Sequence, residues 1–394
     1  MSKAVRLPSS RQGEPVDSPR RFVARGHDAA AARLATLLIA SPPHALLIVG
    51  PRGAGAGTLA RDAAAMLLCA APTGDGACGG CRPCRLVASG SHADLALVEP
   101  SGAADEIGIE PIRALAASLA LLPVEGGRRV ALVDRADRMS ESAQNALLKT
   151  LEEPPARTHI ILAAAEDAAL MPTIRSRCAT LRIGLPDAAA AAELLASRLG
   201  VDAPSATRLL RIAEGRPGPL IAAGASGDAA RAHAQIRRQL LDLVDTPPHQ
   251  RLAHLAPLIS DAAAILAAGL EAEGGDDDDA DGGEASESLA ETAKAATKRR
   301  AGAKPTAAER RAAASALLRL WRGVARDLAV VAAGAEAAVA FPEDLVELRS
   351  AAAKRPAAAW VASLRAIERA LVALRRNASP ELLLDAVALR WSGG

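Results

Sequence analysis

Aromatic side chains are almost missing from this chain. Its 394 residues include no Tyr, two Phe and three Trp, although 50% of them are hydrophobic. The cores must therefore be built from Leu, Val, Ile and Ala, and Ala and Leu at this density favour helix. Because a chain of this length is too long for one ordinary core, we expect three domains.

The sequence also lacks a strong net charge and a long apolar run. The formal net charge is +2, so a contact with nucleic acid would need a local basic patch. No window reaches the roughly 18 uncharged apolar residues of a membrane span. The Pro-rich N-terminus lacks the apolar core of a secretory signal. We therefore expect a soluble, cytoplasmic protein with a disordered lead-in at residues 1–20.

Short apolar runs alternate with helical patterns in the N-terminal half. Residues 45–49, 129–133 and 159–163 read as buried parallel strands, because each run is continuously apolar. Residues 58–68 and 142–151 have the apolar spacing of helices. Strands that alternate with helices predict a doubly wound α/β domain over residues 21–183.

The C-terminal half contains helical patterns and no convincing strand. We predict a small helical domain at residues 184–245 and a second one at residues 246–394. The second is interrupted at about residues 272–306, where an acidic run at 276–279 gives way to a basic run at 298–300. This stretch cannot bury enough apolar surface to order itself, so we interpret it as a disordered, solvated spacer. A binding tail is the alternative.

A glycine-rich turn follows the first predicted strand, at residues 50–58. In a working phosphate loop, backbone N–H groups cradle the phosphates, a Lys neutralises their charge and a hydroxyl binds magnesium. Here Ala56 replaces the Lys, and Gly57 stands where the hydroxyl residue is expected. The turn and the helix N-terminus could still attract an anion, which leaves ATP binding open. The candidate residues of this degenerate nucleotide site are Gly50, Gly53, Gly55, Gly57, Thr58 and Asp134.

Asp134 ends the second predicted strand, where P-loop enzymes place the Asp that holds magnesium. The catalytic Glu that often follows is replaced by Arg135, so nothing at this position could polarise an attacking water. We therefore expect no intrinsic ATPase activity. The alternative is that Asp134 merely ends a strand, as in any α/β protein.

Four of the five cysteines fall within a short segment, as Cys69, Cys78, Cys81 and Cys84. Four thiolates at this spacing can close a tetrahedron around Zn²⁺, and all four positions would then be filled by protein. The pattern predicts a structural zinc site and not a catalytic one. The alternative is four ordinary buried cysteines.

Two further motifs, at residues 145–155 and 172–178, are highly specific. Together with the cysteine insertion they resemble the bacterial clamp-loader AAA+ proteins of the DNA polymerase III holoenzyme. The resemblance covers residues 26–225 and implies an AAA+/RecA-like P-loop domain with an inserted zinc module. It also implies that the two helical domains are a lid and a collar.

In that family, the Arg that corresponds to Arg177 reaches across a subunit boundary as an arginine finger to the ATP held by a neighbour. A guanidinium is always charged and forks onto phosphate oxygens, which suits this role. The alternative is that Arg177 pairs with a local carboxylate. Cys178 is expected to be a small buried residue and not a nucleophile.

The sequence departs from the ATP-hydrolysing sister subunits, gamma and tau, where they need catalysis. The departures are at Ala56, at Arg135, at Ala164 or Ala165 and at Pro219. The resemblance thus implies a non-hydrolysing, stator-like subunit that helps to load the sliding clamp onto primed DNA. Its implied partners are the gamma/tau and delta subunits and, through the complex, the clamp and DNA. The alternatives are an ATP-hydrolysing gamma/tau-type subunit and a zinc-stabilised interaction module outside replication.

Overall fold

The computed structural model describes residues 22–101, 105–125, 127–224, 227–267, 306–376 and 378–391. The chain forms two compact units, whose boundary along the chain lies between Ala191 and Ala192. The predicted lead-in and nearly all of the predicted insertion lie outside the described residues. The first unit ends at Ala191, a few residues beyond the predicted boundary at 183. The further division of the helical half at 245 stays a prediction.

The first unit is a parallel sheet covered by helices. Its strands are β1 (Ala45–Val49), β2 (Leu95–Val98), β3 (Arg129–Val133), β4 (Thr158–Ala164) and β5 (Ala179–Arg182). Its helices are α1 (Asp28–Ala40), α2 (Ala56–Leu68), α3 (Arg82–Ala88), α4 (Ile109–Leu119), α5 (Glu141–Glu152) and α6 (Pro172–Arg175).

The sheet has the strand order β2-β3-β4-β1-β5, and all the pairs are parallel. Val49 pairs with Ala164, and Val133 pairs with Leu162. The loops that follow β1, β3 and β4 therefore meet at the carboxyl ends of the parallel strands, where α/β proteins bind ligands.

The central strands are buried on both faces. Along β1, Leu46 and Ile48 belong to one apolar cluster, while Leu47 and Val49 belong to another on the opposite face. Burial on both sides explains why these runs are continuously apolar. The three predicted strands and the α/β fold class are confirmed. The sequence did not predict β2 and β5, which lie at the edges of the sheet and are partly exposed.

The described part of the second unit is entirely helical, in agreement with the prediction. The chain enters it within α7 (Ala188–Leu199) and continues through α8 (Ala203–Ile212), α9 (Pro217–Ala223), α10 (Gly227–Asp242), α11 (Pro248–Ala267), α12 (Ala307–Ala332), α13 (Leu345–Ala352), α14 (Ala357–Arg375) and α15 (Pro380–Arg390).

The core of the second unit contains all three tryptophans of the chain. Trp321, Trp360 and Trp391 are fully buried, and their rings pack edge to face at centroid distances of 5.4 and 5.7 Å. Helix α12 begins with a capping box in which the Thr306 hydroxyl and the Glu309 carboxylate each accept a backbone N–H. Among the described helices, none is long and apolar enough to cross a membrane.

Candidate functional site

The glycine-rich loop connects β1 to α2 at the edge where the strands end. Gly53 and Gly55 have φ values of 78° and 122°, which favour glycine. The Gly50 N–H donates to the Ala164 carbonyl at 3.1 Å, so the loop starts directly beside the end of β4. The predicted loop residues thus come together, with Thr58 half-buried in the first turn of α2.

The Asp134 carboxylate lies beside the first turn of α2. A Cβ atom added at Gly57 would lie only 2.7 Å from its Oδ1, and this oxygen also accepts the Arg135 N–H at 3.0 Å. The carboxylate therefore fills the space that a side chain at position 57 would need. A working phosphate loop carries its magnesium-binding hydroxyl at this position.

The counter-charge of Asp134 comes from Arg61. A guanidinium nitrogen of Arg61 lies 2.7 Å from Asp134 Oδ2 and 2.6 Å from Glu99 Oε1. Arg61 follows Gly57 by one helical turn, so both face the carboxylate from the same side of α2. The sequence analysis missed Arg61. The only indication of its role in the sequence was its position one helical turn after Gly57.

Arg135, which replaces the catalytic Glu, is held by Asp105. Its φ of 55° is left-handed, and both of its terminal nitrogens donate to the carboxylate, Nη1 at 2.7 Å. Arg138 donates to the Asp105 carbonyl at 3.2 Å, and Arg52 of the glycine loop lies 4.0 Å from the Asp105 carboxylate. Burial and the neighbouring Arg135 lower the pKa of Arg52. This flank of the loop is crowded with cations and has no carboxylate that could act as a base at position 135.

The two later departures, at Ala164 or Ala165 and at Pro219, stay predictions, and all three residues have apolar side chains. The Ala165 N–H donates to Asp137 Oδ1 at 2.9 Å, and Ala164 is buried in β4. Pro219 lies in α9 of the second unit.

His27 is a loop contact that the sequence analysis missed. Its buried Nε2 lies 2.7 Å from the Ala54 carbonyl, and a Cβ atom added at Gly55 would lie 3.2 Å from the same nitrogen. The ring packs against the middle of the glycine loop and so helps to fix its conformation. Its only sequence signal was its position directly before α1.

The four cysteines come together as predicted. Their sulfur atoms all lie within 4.8 Å of one another, and the pairs Cys69–Cys81 and Cys78–Cys84 are 4.0 Å apart. The N–H of Cys78 donates to the Cys69 sulfur at 3.3 Å. The cluster connects the end of α2 to the start of α3 and can hold one metal ion.

Arg177 follows α6 and has a local partner. One terminal nitrogen lies 2.8 Å from Glu152 Oε1, and the other donates to the Thr173 carbonyl at 3.0 Å. Because Glu152 belongs to the motif at residues 145–155, the two specific motifs contact each other. Burial raises the pKa of the neighbouring Cys178 to about 12, which disfavours the nucleophilic thiolate form near pH 7.

Gln144 is a third residue that the sequence analysis missed. Its buried amide nitrogen donates to the carbonyls of Met139 and Ala169 at 3.1 and 3.2 Å, and its oxygen accepts the Met171 N–H at 2.8 Å. Gln144 thereby fastens the start of α5 to the segment that leads into α6 and Arg177.

Comparison with known proteins finds relatives of this α/β unit. The unit is a parallel sheet with a glycine-rich loop after its first strand, and residues 29–186 match the family model described as DNA polymerase III, delta subunit. The chain is 41% identical to the DNA polymerase III subunit delta' of Pseudomonas aeruginosa over 175 residues, 44% of this chain and 53% of the relative. It is 35% identical to the delta' subunit of Escherichia coli over 179 residues, 45% and 54% of the two chains.

A tau subunit is also related. The DNA polymerase III subunit tau of Salmonella typhimurium is 38% identical over 135 residues, 34% of this chain and 21% of the relative. The matched region thus spans about half the length of the delta' relatives. Over that region the resemblance to the bacterial clamp-loader family, and within it to the delta' subunits, is confirmed.

Proposed function

We propose that this chain is a subunit of the DNA polymerase III clamp loader that does not hydrolyse ATP. In this role it helps to load the sliding clamp onto primed DNA, together with gamma/tau and delta subunits. The similarity of residues 29–186 to delta' subunits supports the assignment to the loader. The observation that carries the absence of hydrolysis is the position of Asp134, which lies against Gly57 and pairs with Arg61.

The electrostatics of the loop support this proposal. A magnesium ion at Asp134 would have to compete with the Arg61 guanidinium, and Gly57 offers it no hydroxyl ligand. A bound triphosphate would find no ammonium group at Ala56 and no carboxylate at Arg135. Phosphoryl transfer depends on positioned positive charge and an oriented water. The loop lacks the residues for both, so in this proposal its role is structural.

The test is ATP turnover by the purified chain and by the reconstituted complex. The chain alone should show no turnover above background, and clamp loading by the ATPase subunits should fall when this chain is omitted. Turnover that an Asp134→Ala variant abolishes would instead indicate a gamma/tau-type ATPase. Failure to associate with loader subunits in a pull-down would favour an interaction module outside replication.

We further propose that Arg177 acts in trans on a neighbour's ATP. Its side chain is 35% exposed and its partner Glu152 is 51% exposed. Exposed pairs of this kind contribute only about 0–1 kcal/mol, so the guanidinium can leave Glu152 for a phosphate at little cost. Only one guanidinium nitrogen contacts Glu152, whereas a fork onto phosphate oxygens would form two charge-assisted hydrogen bonds.

Two substitutions separate this role from a local one. Arg177→Ala should leave assembly intact and slow hydrolysis at the neighbouring site by on the order of 10³-fold, so the DNA-stimulated ATPase of the complex falls by the share of that site. Glu152→Gln removes only the local partner and should leave the ATPase unchanged. Equal losses in both variants would show that the pair merely holds the loop.

We also propose that the cysteine cluster holds one structural Zn²⁺. Zn–S bonds of about 2.3 Å in a tetrahedron place the sulfur atoms about 3.8 Å apart, and two of the sulfur pairs here are 4.0 Å apart. Cys69, Cys78, Cys81 and Cys84 would be its ligands. The ion would tether α3 to the end of α2.

A further inference from the structure

The second unit contains a cavity that none of the proposed functions uses. Its volume is about 440 Å³, and its walls come from α8, α9, α10, α12, α14 and the segment at residues 340–341. This volume lies within the range of small-molecule sites, roughly 300–1,000 Å³. Six arginines line it, against two glutamates, Glu214 and Glu368. The arginines are Arg211, Arg216, Arg237, Arg319, Arg322 and Arg326.

One face of α12 supplies three of these arginines. Arg319, Arg322 and Arg326 are three and four residues apart, so they project from the same side of the helix. Gly323 lies between them, and a Cβ atom added there would meet nothing within 4 Å. The helix thus places three guanidinium groups on one wall of the cavity.

Acidic groups pair with several of the lining arginines. Glu343 lies 3.2 Å from Arg211, and Asp327 lies 3.3 Å from Arg326. Glu214 pairs with Arg216 at 3.2 Å and with Arg322 at 3.1 Å, so one carboxylate serves two guanidinium groups. The Glu214 side chain is 62% exposed. An exposed pair of this kind holds its partners only weakly, so an incoming anion can take its place.

Buried polar groups form another part of the lining. Arg237 is 4% exposed, donates to Asp344 through Nε at 2.8 Å and lies 3.5 Å from the ring centroid of Phe341. His233 is also 4% exposed, and its Nδ1 has no hydrogen-bond partner among the described residues. Burial and the neighbouring Arg237 lower the pKa of His233 to about 3. The ring is therefore neutral near pH 7, and the charge of the cavity comes from its arginines.

We propose that this cavity is a binding site for a phosphate-bearing ligand the size of a mononucleotide. Arginine forks match phosphate oxygens, and several of them converge here around a space of suitable volume. The phosphate could belong to a free nucleoside polyphosphate or to the backbone of a nucleic acid strand. The proposal concerns the second unit alone and is independent of the degenerate loop at residues 50–58.

Isothermal titration of the full chain tests the proposal with three probes: pyrophosphate, ATP without magnesium and a short single-stranded oligonucleotide. We expect binding that weakens as salt is raised, and an affinity loss of at least tenfold in the double variant Arg319→Gln/Arg322→Gln. The matched control is Arg365→Gln, which removes a charge from an exposed position on α14 that does not line the cavity. Its affinity should equal that of the unchanged chain.

A second variant keeps the test decisive if the double variant unfolds. Glu214→Gln removes the competing carboxylate, so it should tighten binding severalfold, an effect that a purely structural role of these arginines would not produce. Binding of pyrophosphate and ATP indicates a free polyphosphate, whereas binding of the oligonucleotide alone indicates a strand. The proposal is overturned if no probe binds. It is also overturned if binding ignores both variants, since the loop of the first unit would then hold the ligand.

Discussion

The two ends of α2 carry contrasting groups of residues. At its N-terminus, the glycine loop has the turn of a phosphate site without the lysine, the hydroxyl or the following glutamate. At its C-terminus, Cys69 begins a complete set of four sulfur ligands that lie within 4.8 Å of one another. One helix thus connects a glycine loop that lacks the catalytic side chains to a cluster of four cysteines.

The difference teaches that a loop conformation and its chemistry rest on different residues. Any side chain at Gly50 would collide with Ile183, whose Cγ1 lies 2.2 Å from an added Cβ atom, and Gly53 and Gly55 have left-handed backbone angles. The need for glycine at these positions comes from packing and backbone conformation, so it does not depend on ATP binding. The proposed zinc module would have no such separation, because the four cysteines that bind the ion would also hold the module together.

The largest expected effect comes from breaking the intact end. Replacing Cys78 and Cys81 with Ser should reduce the zinc content from about one ion per chain to none. It should also destabilise the module by several kcal/mol, since structural zinc binds with apparent free energies of about 10–16 kcal/mol in zinc-finger peptides. Metal analysis and thermal unfolding measure both effects.

The matched control for this experiment is Cys178→Ser, which lies outside the cluster and should leave the zinc content unchanged. A purified, unsubstituted chain without zinc would contradict the prediction and leave the closeness of the four sulfurs without a metal to explain it.

A second way to sharpen the comparison lies at Asp62, between the two ends of α2. Burial raises the pKa of this carboxyl to about 6, although it accepts the Ala24 N–H at 3.0 Å. The folded state therefore holds the proton more tightly than the unfolded state, and stability falls as the pH rises from about 4 to 6. Asp62→Asn should add on the order of 2–3 kcal/mol at pH 7.5 and almost nothing below pH 4.

Urea unfolding of both chains at pH 3.5 and pH 7.5 measures this difference, provided that both remain folded at the lower pH. A gain of equal size at both pH values would mean that ionisation of Asp62 is not its cause.

The smallest effect is expected at the degenerate end. Arg61→Gln removes the counter-charge of Asp134, but the Arg61 side chain is 46% exposed, so the change in unfolding free energy should stay within about 1 kcal/mol. ATP turnover should stay absent, because Ala56 and Arg135 are unchanged. Arg33→Gln on the exposed side of α1 is the control for a lost surface charge. Turnover in the Arg61 variant would show that this one cation suppresses hydrolysis.

Sequence patterns predicted the parts of the molecule whose physical requirement is local. The strands β1, β3 and β4 are continuously apolar because both of their faces are buried, whereas β2 and β5 lack that signal at the sheet edges. Spacing alone placed the four cysteines together. The zinc ion itself and the trans role of Arg177 stay predictions.

The contacts that the sequence did not predict join distant positions. Arg61 and Asp134 are 73 positions apart, and Gln144 reaches Ala169 and Met171 across 25 and 27 positions. Such pairs depend on how strands and helices pack. The arginines of the cavity come from separate parts of the chain in the same way, and the sequence analysis predicted none of them.

The Asp134 carboxylate beside Gly57 also affects which substitutions could restore the missing residues of the loop. A hydroxyl residue restored at this position would first have to push aside an oxygen only 2.7 Å from its Cβ atom, while Arg61 pulls the same group into place. A lysine restored at Ala56 would then join a guanidinium that already neutralises the metal ligand. Under the proposed function, a gain of hydrolysis would therefore require several coordinated replacements, because no single substitution supplies both the lysine and the hydroxyl.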